Sequence, residues 1–406
     1  MDQLLQRFIR YASVHTTSDP DSSSTPSTQR QMDLLRMLAG ELEEMGVEEI
    51  HLSSRGALYA SIAGGSQPAI GLVAHVDTSP DAPGENVQPV LHRQWDGSPI
   101  ELESGQVIDP DECEDMERYR GGTIVSSDGS TLLGADDKAG VAIIMEAVRR
   151  LLADPSLPRP ELRVAFTTDE EVGRGVDGFD TERFGARFAY TVDGASVGRV
   201  DHQTFSAWSA DWTIKGREVH PGYAKGAMVS AVRMAAQLVS LVAADSMPEA
   251  SSGDEGYIYP HSIRADVGSA QVKMLLRDFT TSGMERRIEQ MHAIRGYLET
   301  AYPGARVDLE LKEQYRNPAE VLARDSRAVD YALEGTRRAG LQPVRGSIRG
   351  GTDGSRLSYM GIPTVNLPTG GELFHSRREW VALEGMNLAL ETLMETLYIW
   401  GRGGTD

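Results

Sequence analysis

The apolar positions of this chain change period along its length, and the changes divide it. Leu35, Leu38, Leu42 and Met45 mark one face of a helix predicted over 28–46, with Gly46 as its C-cap. A shorter amphipathic helix is predicted over 2–12, and a Ser/Thr/Pro loop over 18–28 joins the two. Short apolar runs then predict strands at 49–52, 57–62 and 69–74. The last is apolar on both faces, as a central strand of a helix-covered sheet would be. A Pro-, Gly- and acid-rich excursion with one short hairpin fills 79–122. After it come a helix over 138–152, with Val141, Ile144, Val148 and Leu151 facing inward, and strands at 162–167 and 188–192.

Near Phe205 the period switches. Val272, Met274 and Leu276, and again Val307, Leu309 and Leu311, alternate as half-buried antiparallel strands do. The predicted order there is strand 207–214, helix 227–244, strands 262–267 and 271–278, helix 282–302 and strand 307–313, which is the ferredoxin-like order. Helix 326–339, strand 344–348, helix 354–360, strand 363–367 and helix 383–399 then restore the first pattern. The expected fold class is therefore α/β: a helix-covered mixed-sheet domain over 1–206 and 317–406, with an inserted ferredoxin-like α+β domain over 207–316.

The 406-residue length agrees with two domains, and the composition is that of a soluble globular chain. No apolar run approaches the roughly 20 residues that span a bilayer, and the first residues read as neither a basic nor an apolar leader. The lone Cys113 sits among acids, which suits a reducing cytoplasm and disfavours a nucleophilic thiol. A formal net charge of −20 excludes nucleic acid as the expected partner. No membrane partner is expected either.

Five short segments bear acids or histidines, four of them at strand ends: Ala74–Thr78, Gly134–Lys138, Thr168–Gly173, Thr191–Gly194 and Leu373–Ser376. Two histidines with several carboxylates form the ligand set of a borderline divalent metal. His75 and Asp77, two apart on extended backbone, point the same way, so one can ligate while the other fixes the imidazole. Asp136 and Asp137 precede a helix, where one can cap it and the other ligate. Glu170 and Glu171 repel unless a cation screens them, which suits Glu171 as ligand and Glu170 as general base on an activated water. Asp193 and His375 complete the set, and the collection points to a metal-dependent hydrolase. His220, in Val219-His220-Pro221-Gly222 of the inserted domain, gains meaning only if that domain closes over the larger one.

Those segments, with Leu132–Gly140 and Arg349–Gly354, resemble the tripeptide-aminopeptidase branch of the M20 metallopeptidase family, nearly end to end. The resemblance implies two zinc ions per subunit in a catalytic domain. His75 and Asp193 would hold one ion, Glu171 and His375 the other, and Asp136 would bridge both. It implies that Asp77 orients His75, that Glu170 is the base, and that the Asp136–Asp137 peptide is cis. His220 would stabilise an oxyanion, and Arg277, Arg349 and Asn317 would grip the C-terminal carboxylate of a short peptide. A dipeptidase or N-acyl-amino-acid deacylase on the same fold is the alternative. A homodimer through the inserted domain is left open.

Overall fold

The strand Ile70–His75 is buried along its whole length because helices cover both faces of the sheet it occupies. A computed structural model describes residues 2–65 and 68–405. It divides into two compact units, Met1–His202 with Glu320–Gly346 and Thr352–Asp406, and Gln203–Ala319 with Ser347–Gly351.

In the first unit, eight strands lie in the order Glu49–Leu52, Ala57–Ile62, Leu162–Thr167, Ile70–His75, Phe188–Gly194, Thr364–Pro368, Arg199–Thr204, Val344–Ile348. The four from Leu162–Thr167 to Thr364–Pro368 run parallel. The flanking pairings of Ala57–Ile62 and Arg199–Thr204 are antiparallel. Alternate residues of each central strand feed different cores: Leu72, Val164 and Tyr190 pack with helices Gln3–Ala12, Ala135–Ala153 and Leu383–Arg402. Val73, Ala165 and Ala189 pack with Phe184 and Leu357 on the other side. A smaller sheet, in the order Gly371–Glu372, Trp380–Ala382, Thr123–Ser126, Val90–Arg93, is antiparallel throughout.

The second unit has strands Ser206–Lys215, Tyr257–Ala265, Ser269–Asp278 and Arg306–Tyr315. Their sheet order is second, third, first, fourth, and every pairing is antiparallel. Helices Ala231–Ser240 and Thr281–Ala301 close its core around Trp212, Met234, Met274 and Leu298. This is the ferredoxin-like arrangement expected from the alternation. Among the described residues, no helix is long and apolar enough to cross a membrane.

Several boundaries move. Helix 227–244 contracts to Ala231–Ser240, where the Ser230 side chain caps its start, and strand 262–267 becomes Tyr257–Ala265. Strands Thr123–Ser126, Arg199–Thr204, Gly371–Glu372 and Trp380–Ala382 carry no sequence expectation. Most are too short to show a period.

Trp400 ties the last helix to the sheet. It is 2% exposed, its indole donates to the Tyr190 hydroxyl at 2.8 Å, and its ring lies against Phe188 and Tyr331. Trp400→Ala should cost about 3–5 kcal/mol, seen as a lower urea midpoint by circular dichroism. A change within about 0.5 kcal/mol, the range of ordinary surface substitutions, would refute the packing argument.

Candidate metal centre and active site

The acid- and histidine-bearing segments collect where the parallel strands end, the edge at which open α/β sheets bind ligands. His75 closes Ile70–His75 and Asp193 lies in Phe188–Gly194. Glu170 and Glu171 open a short 3₁₀ turn after Leu162–Thr167. The pairing of Phe188–Gly194 with Thr364–Pro368 skips Asp193, since Leu367 faces Val192 and Pro368 faces Gly194. Such a bulge re-aims the extra side chain. Asp136 follows a turn in which Gly134 takes φ +78°, a backbone state that favours glycine. The Asp136–Asp137 peptide is cis, as the resemblance implies.

Asp136 stands at the centre. Its Oδ1 lies 3.0 Å from His75 Nε2 and its Oδ2 3.2 Å from His375 Nε2. One carboxylate thus faces two histidines with separate oxygens. His75 Nε2 also lies 3.5 Å from Asp193 Oδ1, and His375 Nε2 lies 2.9 Å from Glu171 Oε2. His375 reaches its place with φ +59° and keeps 42% of its side chain exposed, whereas His75 is 3% exposed.

Buried acids hold these groups by their backbones. Asp77, wholly buried, lies 3.4 Å from His75 Nδ1 and accepts the Glu170 and Glu171 N–H groups at 3.1 and 3.2 Å. Asp137 accepts the His75 N–H at 3.2 Å. Asp169, with φ +63°, accepts from the Ser27 N–H, the Ser27 hydroxyl and the Gln31 amide, and its own N–H donates to Gln31. The N-terminal segment thereby fixes the turn that carries the two glutamates.

Crowding sets the protonation. Burial, then the Asp136 charge, raises Glu171 to about 8 and Asp193 to about 7. Burial lifts Glu170 well above the usual carboxylate range, and burial with the Asp193 charge does the same to Asp137. Asp353, also buried, rises to about 6. Burial opposes the charge on Asp136 too, but hydrogen bonds from His375 and His75 outweigh it and hold its pKa low. The bonds that His375 donates to Asp136 and Glu171 raise its own pKa to about 11.

The donor set fits a divalent cation. His75, Asp136 and Glu171 place ligand atoms within 4.8 Å of one another, as do His75, Asp137 and Asp193. The second grouping is the weaker, because Asp137 already binds the His75 backbone. Glu171 Oε1 is buried with no hydrogen-bond partner, and its side chain is 4% exposed although its backbone is open. A buried acceptor without a donor costs free energy, and a cation is the partner this site lacks. Mixed imidazole and carboxylate ligands suit zinc.

Four expected residues lie on the second unit. His220 is exposed, and its ring nitrogen accepts the Gly222 N–H at 3.1 Å. Arg277 is half-buried over the Tyr315 ring and donates to the Leu276 and Trp208 carbonyls. Arg349 is exposed, lies over Phe205 and Tyr257, and donates to Ser251, Gly253 and Glu255. Tyr257 is the strand partner of Arg277, so the two arginines share one region. Asn317 is buried. Its oxygen accepts the Thr204 and Ala319 N–H groups, and its amide donates to Phe279. Sequence reading passed over Asp353, which accepts from Thr167 at 2.8 Å, and Glu379, which reads as one more surface acid after Arg377-Arg378.

Residues 132–398 match the family described as Peptidase family M20/M25/M40. The chain is also 40% identical over 403 residues to the Clostridium perfringens protein named Peptidase T, covering 98% of this chain and 99% of that one. The chain belongs to this M20 family of peptidases, and its full-length identity to Peptidase T places it among the metallo-aminopeptidases, a class of hydrolase. Among solved structures, aminopeptidase PepT of Bacillus cereus is similar, with TM-score 0.78 and 22% identity over 98% of this chain and 97% of that one. The Bacillus subtilis YXEP protein, described as a dinuclear metal-binding M20 peptidase, aligns with TM-score 0.68 and 16% identity over 98% and 97%.

The pKa shifts predict how stability depends on pH. A carboxyl raised on folding, as Glu171 and Asp193 are, stabilises the fold at low pH and loses that contribution as pH climbs from about 4 through about 8. The raised histidines act in the same direction, stabilising fully below about 6.5 and less as pH rises through their folded values. Chelator-treated protein should therefore melt lower at about pH 8 than at about pH 6, with added divalent metal restoring more at the higher pH. A chelated midpoint that rises over that interval would contradict the assignment.

Proposed function

We propose that the chain removes the N-terminal residue from short peptides, preferentially tripeptides, at a centre holding two zinc ions. The observation that carries this reading is the Asp136 carboxylate, whose two oxygens face different histidines. His75 and Asp193 would hold one ion, Glu171 and His375 the other, and Asp136 both. When bound, such a pair acidifies water and polarises the scissile carbonyl.

The chain's own residues supply the rest. Glu170 takes the proton of the attacking water at its carboxylate. It then returns that proton to the departing amine. Asp77 holds His75 with its Nε2 toward the centre, and through two backbone N–H groups it also holds the turn carrying Glu170. His220 is assigned to the developing oxyanion. Arg277 and Arg349 grip the peptide's C-terminal carboxylate. In support, neither makes an ion pair with a carboxylate among the described residues, and both donate only to neutral oxygens. Asn317 would serve by holding Phe279, two residues beyond Arg277.

We read the second unit as the inserted domain expected over 207–316. Its edge strand Tyr257–Ala265 exposes Tyr259 and Ile263, and it would join two copies of the chain into a homodimer. A single cysteine suits a cytoplasmic setting.

The test is a mass-resolved digest of Ala-Ala, tri-Ala, tetra-Ala and N-acetyl-tri-Ala, with and without chelator and zinc. Chelator-sensitive loss of one residue from unblocked tri-Ala, ahead of the other substrates, is expected. Preferred cleavage of Ala-Ala or the blocked peptide would replace the substrate claim with the dipeptidase or deacylase reading. Glu170→Ala should retain zinc while kcat falls about 10²–10⁴-fold, and near-native turnover would sink the base assignment. Arg349→Ala should raise KM for tri-Ala about tenfold or more. It should add little to the weak cleavage of tri-Ala amide, and an equal effect on both peptides would remove the arginine from the carboxylate grip.

A further inference from the structure

The segment that carries His375 also carries a second buried acid. His375 lies in the turn between strands Gly371–Glu372 and Trp380–Ala382, and Glu379, at the end of that turn, is 1% exposed. Its carboxylate does not face the ligand atoms. Oε2 accepts the main-chain N–H groups of Leu133 at 2.8 Å and Gly134 at 2.7 Å, and Oε1 accepts that of Asp136 at 2.9 Å. The three donors belong to the turn that presents the central aspartate. Nearby, the buried Lys138 side chain donates to the Val14 carbonyl at 2.7 Å; burial lowers its pKa to about 7, and the Glu379 charge works against that shift.

Four residues after it supplies one histidine, then, the chain grips the backbone of the aspartate that must meet that histidine. We propose that Glu379 is a positioning residue for the metal centre, fixing Asp136 relative to His375 through the three N–H groups. This rests on the two-metal reading above. A carboxylate is required because all three partners are donors. With Gln at this position, the best orientation keeps its oxygen on Leu133 and Gly134 and turns its NH₂ against the Asp136 N–H. The damage would fall on the bridging residue. Glu372, at the other end of the same turn, is the natural control: it accepts the Glu114 and Asp115 N–H groups, each at 2.8 Å, and has no bond to the Asp136 turn.

The experiment titrates metal-free full-length protein with cobalt(II), read by calorimetry and by visible absorption. Wild type should take up two ions. Glu379→Gln should bind cobalt about 10–100-fold more weakly, the usual consequence of losing a partner that orients ligands, with an altered visible spectrum. Glu372→Gln should keep affinity within about twofold of wild type, since the ligands keep their supports. Should Glu379→Gln fail to fold, Glu379→Asp decides by the same titration, because it keeps the charge but shortens the reach. A wild type that binds no cobalt overturns the metal reading and this proposal together. Two ions in wild type with unchanged affinity and spectrum in the folded Glu379 variant overturn this proposal alone. Equal losses in Glu372→Gln and Glu379→Gln overturn it as well, because the effect would then belong to the turn in general.

Discussion

Everything at the sheet edge depends on keeping several carboxyl groups within reach of one another without water to separate them. Asp136, Asp137, Glu170, Glu171, Asp193 and Asp353 cannot all ionise there at neutral pH, because burial and mutual repulsion oppose it. Two imidazoles relieve part of the conflict by protonating, which is why His375 is pushed up to about 11. That relief is incomplete, and Glu171 keeps an oxygen with no donor. A pair of divalent cations, as proposed above, would remove the conflict by neutralising the ligands and releasing their protons. The same crowding that weakens the metal-free fold would then create the affinity for metal.

Such a constellation persists only if the backbone around it is over-determined, and the fold does this in one recurrent way. Buried acids around the centre accept main-chain N–H groups from the segments that carry its ligands. Asp77 takes those of Glu170 and Glu171, Asp137 takes that of His75, and Glu379 takes that of Asp136 with two of its neighbours. Each arrangement satisfies donors that the turns leave unpaired and satisfies the acid in the same stroke. Parallel strands supply the starting positions, and the skipped register at Asp193 adjusts one of them.

How much of this was legible in the sequence follows from the range of each signal. Period-2 alternation in 271–278 and 307–313 reveals the ferredoxin-like unit, because long strands repeat their pattern often enough to be read. The ligand candidates are legible because His and carboxylates at strand ends are chemically conspicuous. Strands Gly371–Glu372 and Trp380–Ala382 are not, since two or three residues carry no period, and their pairing depends on Thr123–Ser126 far away in the chain. Glu379 was invisible for a related reason. An acid following two arginines reads as a solvated surface residue, and only the tertiary structure shows it to be 1% exposed. Gln31 and Ser27, which hold Asp169, likewise sit in what reads as an unremarkable loop and helix start.

The excess of acids also gives meaning to the cations left unpaired. In a chain with 60 acidic and 40 basic residues, most of the half-buried arginines have found a carboxylate, as Arg149 and Arg287 have. Half-buried Arg277 and exposed Arg349 have not. Their N–H groups rest on carbonyl oxygens and a hydroxyl, and their planes lie over Tyr315, Phe205 and Tyr257. Carbonyls orient a guanidinium without neutralising it, and aromatic faces restrict its rotamers at little electrostatic cost. The result is two fixed positive charges in one region of the second unit, on a protein whose overall field repels anions. An anion that settles there must present a carboxylate geometry good enough to offset that repulsion. In the reading proposed above, the free C-terminus of a short peptide is that anion, and an amidated terminus lacks the charge to serve.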